Sequence, residues 1–201
     1  MANGHQRDDN ARTDDRDSDR DTPITIQPLD LAGSALDDVI ALYNAVWGKS
    51  GAGAAAADAQ IRRHPRYPGF KAVVARAPDD RAVGFAYGYT NAPGQWWHER
   101  VAEHLGAERT AGELTGSFCV TELAVLPSHR RHGLGRRLLA ALLADLPHAA
   151  ATLSTQRDNR PARALYEAAG WDYLIARMRF TPGDREWVVM RRRLRPTGHE
   201  H

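Results

Sequence analysis

Hydrophobic and polar positions along this chain fall into two rhythms. Short apolar or alternating runs, the mark of strands, stand at 24–26 (ITI), 70–76 (FKAVVAR), 81–90 (RAVGFAYGYT), 117–126 (SFCVTELAVL), 150–156 (AATLSTQ), 171–180 (WDYLIARMRF) and 185–194 (REWVVMRRRL). The turn residues Pro78, Asp79 and Asp80 join the second run to the third, and TPGD at 181–184 joins the last two into a hairpin. Helical spacing appears at Leu36, Ile40, Tyr43 and Trp47, and again at Leu134, Leu138, Leu142 and Leu146, with Leu139 and Leu143 alongside. Residues 161–170 (PARALYEAAG) read as a short helix, with Pro161 near its start and Gly170 at its end. The alanine-rich stretch 51–65 reads as a further helix or a mobile flap, broken at Pro65. Residues 91–116 form a polar excursion from the sheet, partly helical around Trp97 to Leu105. The order β-α-α-β-β-β-α-β-α-β-β predicts one mixed α/β (α+β) domain over 23–195. Its central sheet has six to seven strands, covered by about four helices.

Composition changes this picture only at the ends and in what it excludes. Residues 1–22 are rich in Asp and Arg and too poor in apolar groups to offset the entropy of ordering, so a disordered tail is expected there. Residues 196–201 are expected to be a flexible C-terminus. No apolar run reaches the length of a membrane span, and the N-terminus lacks a signal-peptide core, so a cytoplasmic protein without membrane partners is expected. The single cysteine, Cys119, excludes an internal disulfide framework, and on a strand it is expected to be buried and inert. No His, Asp or Glu cluster has metal-ligand spacing, and no metal is expected. Net charge is +2, with lysine only at Lys49 and Lys71. The arginines are scattered among acids, so charge implies no nucleic-acid partner.

The chemistry gathers around SHRRHGLGRR, residues 128–137, between an apolar strand and the leucine-rich helix. A helix N-terminus offers unpaired N–H groups and about half a unit of positive charge. Gly133 and Gly135 let the backbone approach an anion and adopt positive φ, and Arg130, Arg131 and Arg136 are placed to neutralise it. By itself Gly-x-Gly is equally a tight turn with arginines in solvent. It is not a P-loop, since no Gly-Lys-Ser/Thr follows, nor is it the dinucleotide fingerprint.

Residues 120–139 (VTELAVLPSHRRHGLGRRLL) resemble the acetyl-CoA-binding motif of the GCN5-related N-acetyltransferases (GNAT), Arg/Gln-x-x-Gly-x-Gly/Ala, which stands here as Arg130-x-x-Gly133-x-Gly135. Residues 159–171 (NRPARALYEAAGW) resemble the family's second motif at Asn159, Ala162, Leu165, Tyr166, Gly170 and Trp171. The resemblance is close over 120–171, and it implies the acyl-CoA N-acyltransferase fold with acetyl-CoA as co-substrate. It assigns the pyrophosphate to Arg130, Arg131, His132, Gly133, Leu134, Gly135 and Arg136, and the pantetheine arm to Leu123, Ala124 and Val125. Asn159, Ala162 and Tyr166 would line the cofactor from the other side, and Tyr166 would protonate the departing thiolate. On the resemblance alone, a homodimer through the terminal hairpin is implied.

Read from the residues, Asn159, Ala162 and Tyr166 share one helix face by spacing, though Tyr166 is also what an ordinary amphipathic helix would bury. A phenol stays protonated where a thiol ionises, which suits a general acid. Glu122 is out of place in an apolar strand unless employed or paired; it is a candidate base, with pairing to an arginine equally open. Alternation puts Val120, Glu122 and Ala124 on one face. Trp96, Trp97, Tyr87 and Tyr89 are candidates for an acceptor wall, the tryptophans also for plain anchors, and His98 or Glu99 for an alternative base. The expected activity is acetyl transfer to a primary amine of a small molecule. Transfer to a protein N-terminus or lysine, and a non-catalytic acyl-CoA-binding module, stay open.

Overall fold

The structure, a computed structural model, describes residues 23–29 and 35–195. The tail expected over 1–22 and the flexible end expected over 196–201 lie outside the described residues. Seven strands form one sheet: β1 (Thr25–Pro28), β2 (Lys71–Arg76), β3 (Ala82–Thr90), β4 (Phe118–Val125), β5 (Ala150–Gln156), β6 (Asp172–Met178) and β7 (Trp187–Arg193). Their order is β1-β2-β3-β4-β5-β7-β6. Every neighbouring pair is antiparallel except β4 with β5. The helices are α1 (Ala35–Trp47), α2 (Gly51–Arg63), α3 (Trp96–Leu105), the single turn α4 (Ala107–Arg109), α5 (Leu134–Leu143) and α6 (Arg160–Ala168). The alanine-rich stretch is therefore a helix rather than a flap. Pro28 lies inside β1, which an edge strand tolerates because one side of its backbone needs no ladder partner. The excursion holds two helices and a π turn, Thr110–Leu114.

Both faces of the sheet are covered. On one, Leu134, Leu138, Leu139 and Leu142 of α5 pack on Val83, Ala86, Phe118, Val120 and Leu153, and Tyr166 of α6 joins them. On the other, Val39 and Leu42 of α1 pack on Ala72, Phe85, Tyr87 and Ala124, while Val101 and Leu105 of α3 pack on Leu174, Met178 and Val189.

Two departures from regularity shape the middle of the sheet. First, the β3–β4 register slips between Tyr87 and Gly88: Tyr87 opposes Glu122, but Gly88 opposes Val120, leaving Thr121 as the extra residue of a β-bulge. A Cβ on Gly88 would lie 2.3 Å from the Cys119 carbonyl oxygen, so only glycine fits beside the bulge. The bulge overturns the alternation expected from sequence. Val120 joins the cluster under α5, whereas Ala124 joins the cluster under α1, and Glu122 follows Ala124. Second, β4 and β5 pair only at Phe118–Ala151 and Cys119–Thr152. Beyond that point the two strands separate, and the β5-side edge of β4 from Val120 to Val125 has no ladder partner among the described residues.

Candidate active site

The turn after β4 is built to present backbone donors. A 3-10 turn (Pro127–His129) leads into Arg131 at φ 69° and Gly133 at φ 75°, both in the left-handed region. Gly133 stands at the N-cap of α5 with no side chain capping the helix. The first bond of the helix is Arg137 N–H to the Gly133 carbonyl. The N–H groups of Arg131, His132, Gly133, Leu134, Gly135 and Arg136 donate to no described residue. Six consecutive amides at a helix start, with Arg130, Arg131 and Arg136 among or beside them, fit a diphosphate by number and by charge. The side chain of Arg130 folds back, its Nε donating to the Val125 carbonyl at 2.9 Å, which ties the turn to the end of β4. Gly135 has only Leu165 near its missing Cβ, at 3.7 Å, so close approach of a ligand rather than crowding within the chain would call for glycine there.

Leu123, Ala124 and Val125 bond to β3 on one side and leave their other edge open where β5 diverges. An extended amide-bearing arm can pair with that edge as a further strand does. α6 stands beside it. Asn159 stands at the start of this helix as its N-cap, and its Oδ1 accepts the Ala162 N–H at 3.2 Å. The Tyr166 ring is buried against Trp171, centroids 5.9 Å apart. Its hydroxyl bonds to no described residue. Burial first, and then the charge of Glu122, push this phenol well above its ordinary range, so it stays protonated.

Glu122 has no hydrogen bond or ion pair among the described residues, which leaves the arginine partner considered above without support. Burial alone raises its carboxyl to about 8. Its charge is felt by three phenols from three elements: Tyr43 of α1, Tyr87 of β3 and Tyr166 of α6. Burial, then Glu122, raises Tyr43 to about 12. Tyr87 is almost fully buried, and its Oη lies 3.0 Å from Nδ1 of His64. Cys119 is buried, its thiol pushed up to about 12 by burial, which makes it a poor nucleophile.

The other candidates divide. Trp97 is half-buried on α3, and its Nε1 donates to Ser154 Oγ of β5 at 3.0 Å. Ser154 lies two residues past the last β4–β5 pair, so Trp97 flanks the split in the sheet from the β5 side. His98 turns inward, with Nε2 3.1 Å from Thr115 Oγ1. Glu99 accepts the Gly94 N–H at 2.7 Å and holds the loop before α3. Trp96 is 59% exposed and leans on Phe180. Tyr43 and His64 were missed by sequence reasoning. Tyr43 lay within a helical spacing that accounted for it as core, and His64 beside the proline that marked a helix end.

Comparison with known proteins agrees with this geometry. The sequence profile of the acetyltransferase (GNAT) family matches residues 37–171. The chain is 37% identical over 123 residues to the GCN5-like protein acetyltransferase Rv2170 of Mycobacterium tuberculosis, covering 56% of this chain and 58% of that one. It is 34% identical over 103 residues to ML0378 of Mycobacterium leprae, covering 45% of this chain and 28% of that protein. The matched stretch thus spans little more than half of one relative and less than a third of the other. Among solved structures the fold is similar to PH1933 from Pyrococcus horikoshii, with TM-score 0.62 and 22% identity over 86% of this chain and 99% of that one. It is also similar to the ribosomal-protein-S18-alanine N-acetyltransferase of Escherichia coli, with TM-score 0.62 and 17% identity over 89% and 99%. Among the described residues no helix is long and apolar enough to cross a membrane. An unpaired run of amides at a helix start, an opened strand edge and a profile match over more than half its length place this chain in the GNAT acetyltransferase family.

Proposed function

We propose that the chain is an N-acetyltransferase that moves an acetyl group from acetyl-CoA directly to a primary amine. The observation that carries this reading is the adjoining of the six unpaired amides of Arg131 to Arg136 and the unpaired edge of β4. Acetyl-CoA, when bound, supplies an acetyl thioester. Residues 131–136, with Arg130, Arg131 and Arg136, hold its diphosphate; Leu123, Ala124 and Val125 orient its arm; and a backbone N–H of that edge steadies the charge that grows on the carbonyl oxygen. Ala162 leaves room beside the arm.

Glu122 takes a proton from the acceptor ammonium so that the nitrogen lone pair is free to attack. A carboxyl near 8 is a far better base than an ordinary one, and it can hold the proton until solvent removes it. Tyr166 gives its proton to the leaving sulfur. Its raised proton affinity keeps it protonated at neutral pH but makes it a weaker acid than a free phenol, so the transfer is completed because the nitrogen, losing its second proton as the C–S bond breaks, returns a proton to the phenolate. Holding both reactants in the split of the sheet supplies much of the acceleration.

For the acceptor, a small-molecule amine lying between Tyr43, Trp97 and Glu122 is the first reading. A protein amine is the second, and two observations favour it. Trp96, which would close a small pocket, stands mostly exposed, and the relative with 37% identity is named a protein acetyltransferase. A base near 8 is also better matched to an α-amino group, ordinarily about 7.7–8.0, than to a lysine near 10.4. The test is thiol release from acetyl-CoA against a panel of small amines, α-amino peptides and lysine peptides. Acceptor-dependent release above the hydrolysis rate supports the reading and picks the class. Release at the hydrolysis rate for every acceptor, with CoA still bound, would leave a binding module.

A further inference from the structure

Tyr87 and His64 form a polar pair inside an otherwise aromatic core. His64 follows α2 directly, and its side chain and that of Tyr87 are 3% and 2% exposed. Nδ1 of the imidazole lies 3.0 Å from the phenol oxygen. The His64 ring also touches Tyr67 and Tyr89, at centroid distances of 5.9 and 5.3 Å. Phenylalanine at both positions would fill this space without any polar group to satisfy. A buried phenol needs a partner, and here the partner comes from 23 residues away.

Tyr87 is the residue directly opposite Glu122 on β3, and the two share a face. Opposed side chains in an antiparallel pair start about 4.5–5.5 Å apart at Cβ. The bulge at Thr121 is what turns Glu122 onto this face rather than toward α5. The groups around Glu122 are phenols: Tyr43 from α1, Tyr87 from β3 and Tyr166 from α6. Around Tyr87 and His64 stand Tyr89 and Cys119 in the sheet, with Tyr67 and the cation of Arg63 flanking the imidazole.

We propose that His64 is a positioning residue for Glu122: by holding the Tyr87 hydroxyl it fixes the polar wall that β3 offers the carboxylate, and through that wall the carboxylate's hold on a proton. This rests on the reading of Glu122 as the base. Burial, then the charge of Arg63, hold the imidazole down to about 4, so His64 is neutral at working pH. A neutral imidazole has one N–H. With that proton on Nδ1 it donates to the Tyr87 oxygen, and the dipole of the phenol O–H is left free to face Glu122 without a direct hydrogen bond to it. Such a dipole favours the ionised carboxylate and offsets part of the effect of burial.

The test is the titration of Glu122 in the full chain labelled with carboxyl-13C glutamate, the signal assigned by its loss in Glu122→Gln. Tyr87→Phe is expected to raise the midpoint by about half to one pH unit. His64→Phe raises it in the same direction by less. His64→Asn, whose amide reaches the place of Nδ1, returns it toward the wild-type value, a rescue that simple packing would not give. The double variant Tyr87→Phe/His64→Phe moves the midpoint no further than Tyr87→Phe alone. His64→Gln, polar but without a group at that place, stands in for a phenylalanine variant that does not fold. Unmoved midpoints in folded Tyr87→Phe and His64→Phe overturn the inference and leave Glu122 as base. A wild-type midpoint in the ordinary carboxylate range overturns both.

Discussion

α5 and α6 lie on the same face of the sheet and start after the parallel strands β4 and β5, yet their first turns are finished in opposite ways. α6 closes its own end: Asn159 accepts the Ala162 N–H, and Pro161 has no N–H to leave unpaired. α5 closes nothing. Gly133 supplies no cap, and the amides from Arg131 to Arg136 point to no acceptor within the described chain. A helix start must be satisfied by something, and one that its own chain leaves open falls to water or to a ligand. Under the function proposed above the difference divides the tasks, α5 to bind the diphosphate and α6 to hold Tyr166 in place as the acid.

The contrast can be broken most sharply at α5. Arg131→Ala with Gly133→Val removes a cation and forces a β-branched residue into φ 75°. Calorimetry with CoA is expected to show a loss of about a hundred-fold or more, two charge-assisted contacts being lost. Tyr166→Phe on α6 should do the reverse. Turnover falls by about a hundred-fold, the low end for a general acid, while CoA affinity holds; equal loss of both would remove its role as acid. Between the helices, Glu122 makes turnover pH-dependent. A base raised to about 8 is protonated below that value, so turnover climbs about ten-fold per pH unit on the acid side and levels above about 8. Glu122→Gln abolishes that limb, and a limb that survives the substitution would belong to another group. The smallest effect is expected from Asn159→Ala: about 1 kcal/mol of stability by thermal unfolding, with CoA affinity changed by no more than about three-fold. A larger fall in affinity would mean that the side chain also reaches the cofactor.

Sequence carried the strand and helix order, the excursion and the glycine turn before α5, because each rests on local pattern: alternation, leucine spacing, glycine in a basic turn. Among the described residues the sheet runs from Thr25 in its first strand to Arg193 in its seventh. What escaped was non-local. The bulge at Thr121 goes with the close approach of Gly88 to the Cys119 carbonyl on the neighbouring strand, and no pattern within β4 announces it, so the expected alternation of Val120, Glu122 and Ala124 failed there. His64 meets Tyr87 only through the packing of α2's end on β3, and Tyr43 nears Glu122 only through the docking of α1. Spacing within 159–166 grouped Asn159 with Tyr166, but the capping bond of Asn159 was not legible because it depends on where the helix begins.

The central claim is that the open amides of α5 seat a diphosphate. Its most direct measurement is the backbone 1H–15N spectrum of the chain titrated with CoA. The amides of Arg131 to Arg136, those of Gly133 and Gly135 foremost, should move and saturate together, while the N-terminal amides of α6 move little. Should those six signals stay in place while CoA binds elsewhere, or should none respond at saturating CoA, the account of this site would be wrong.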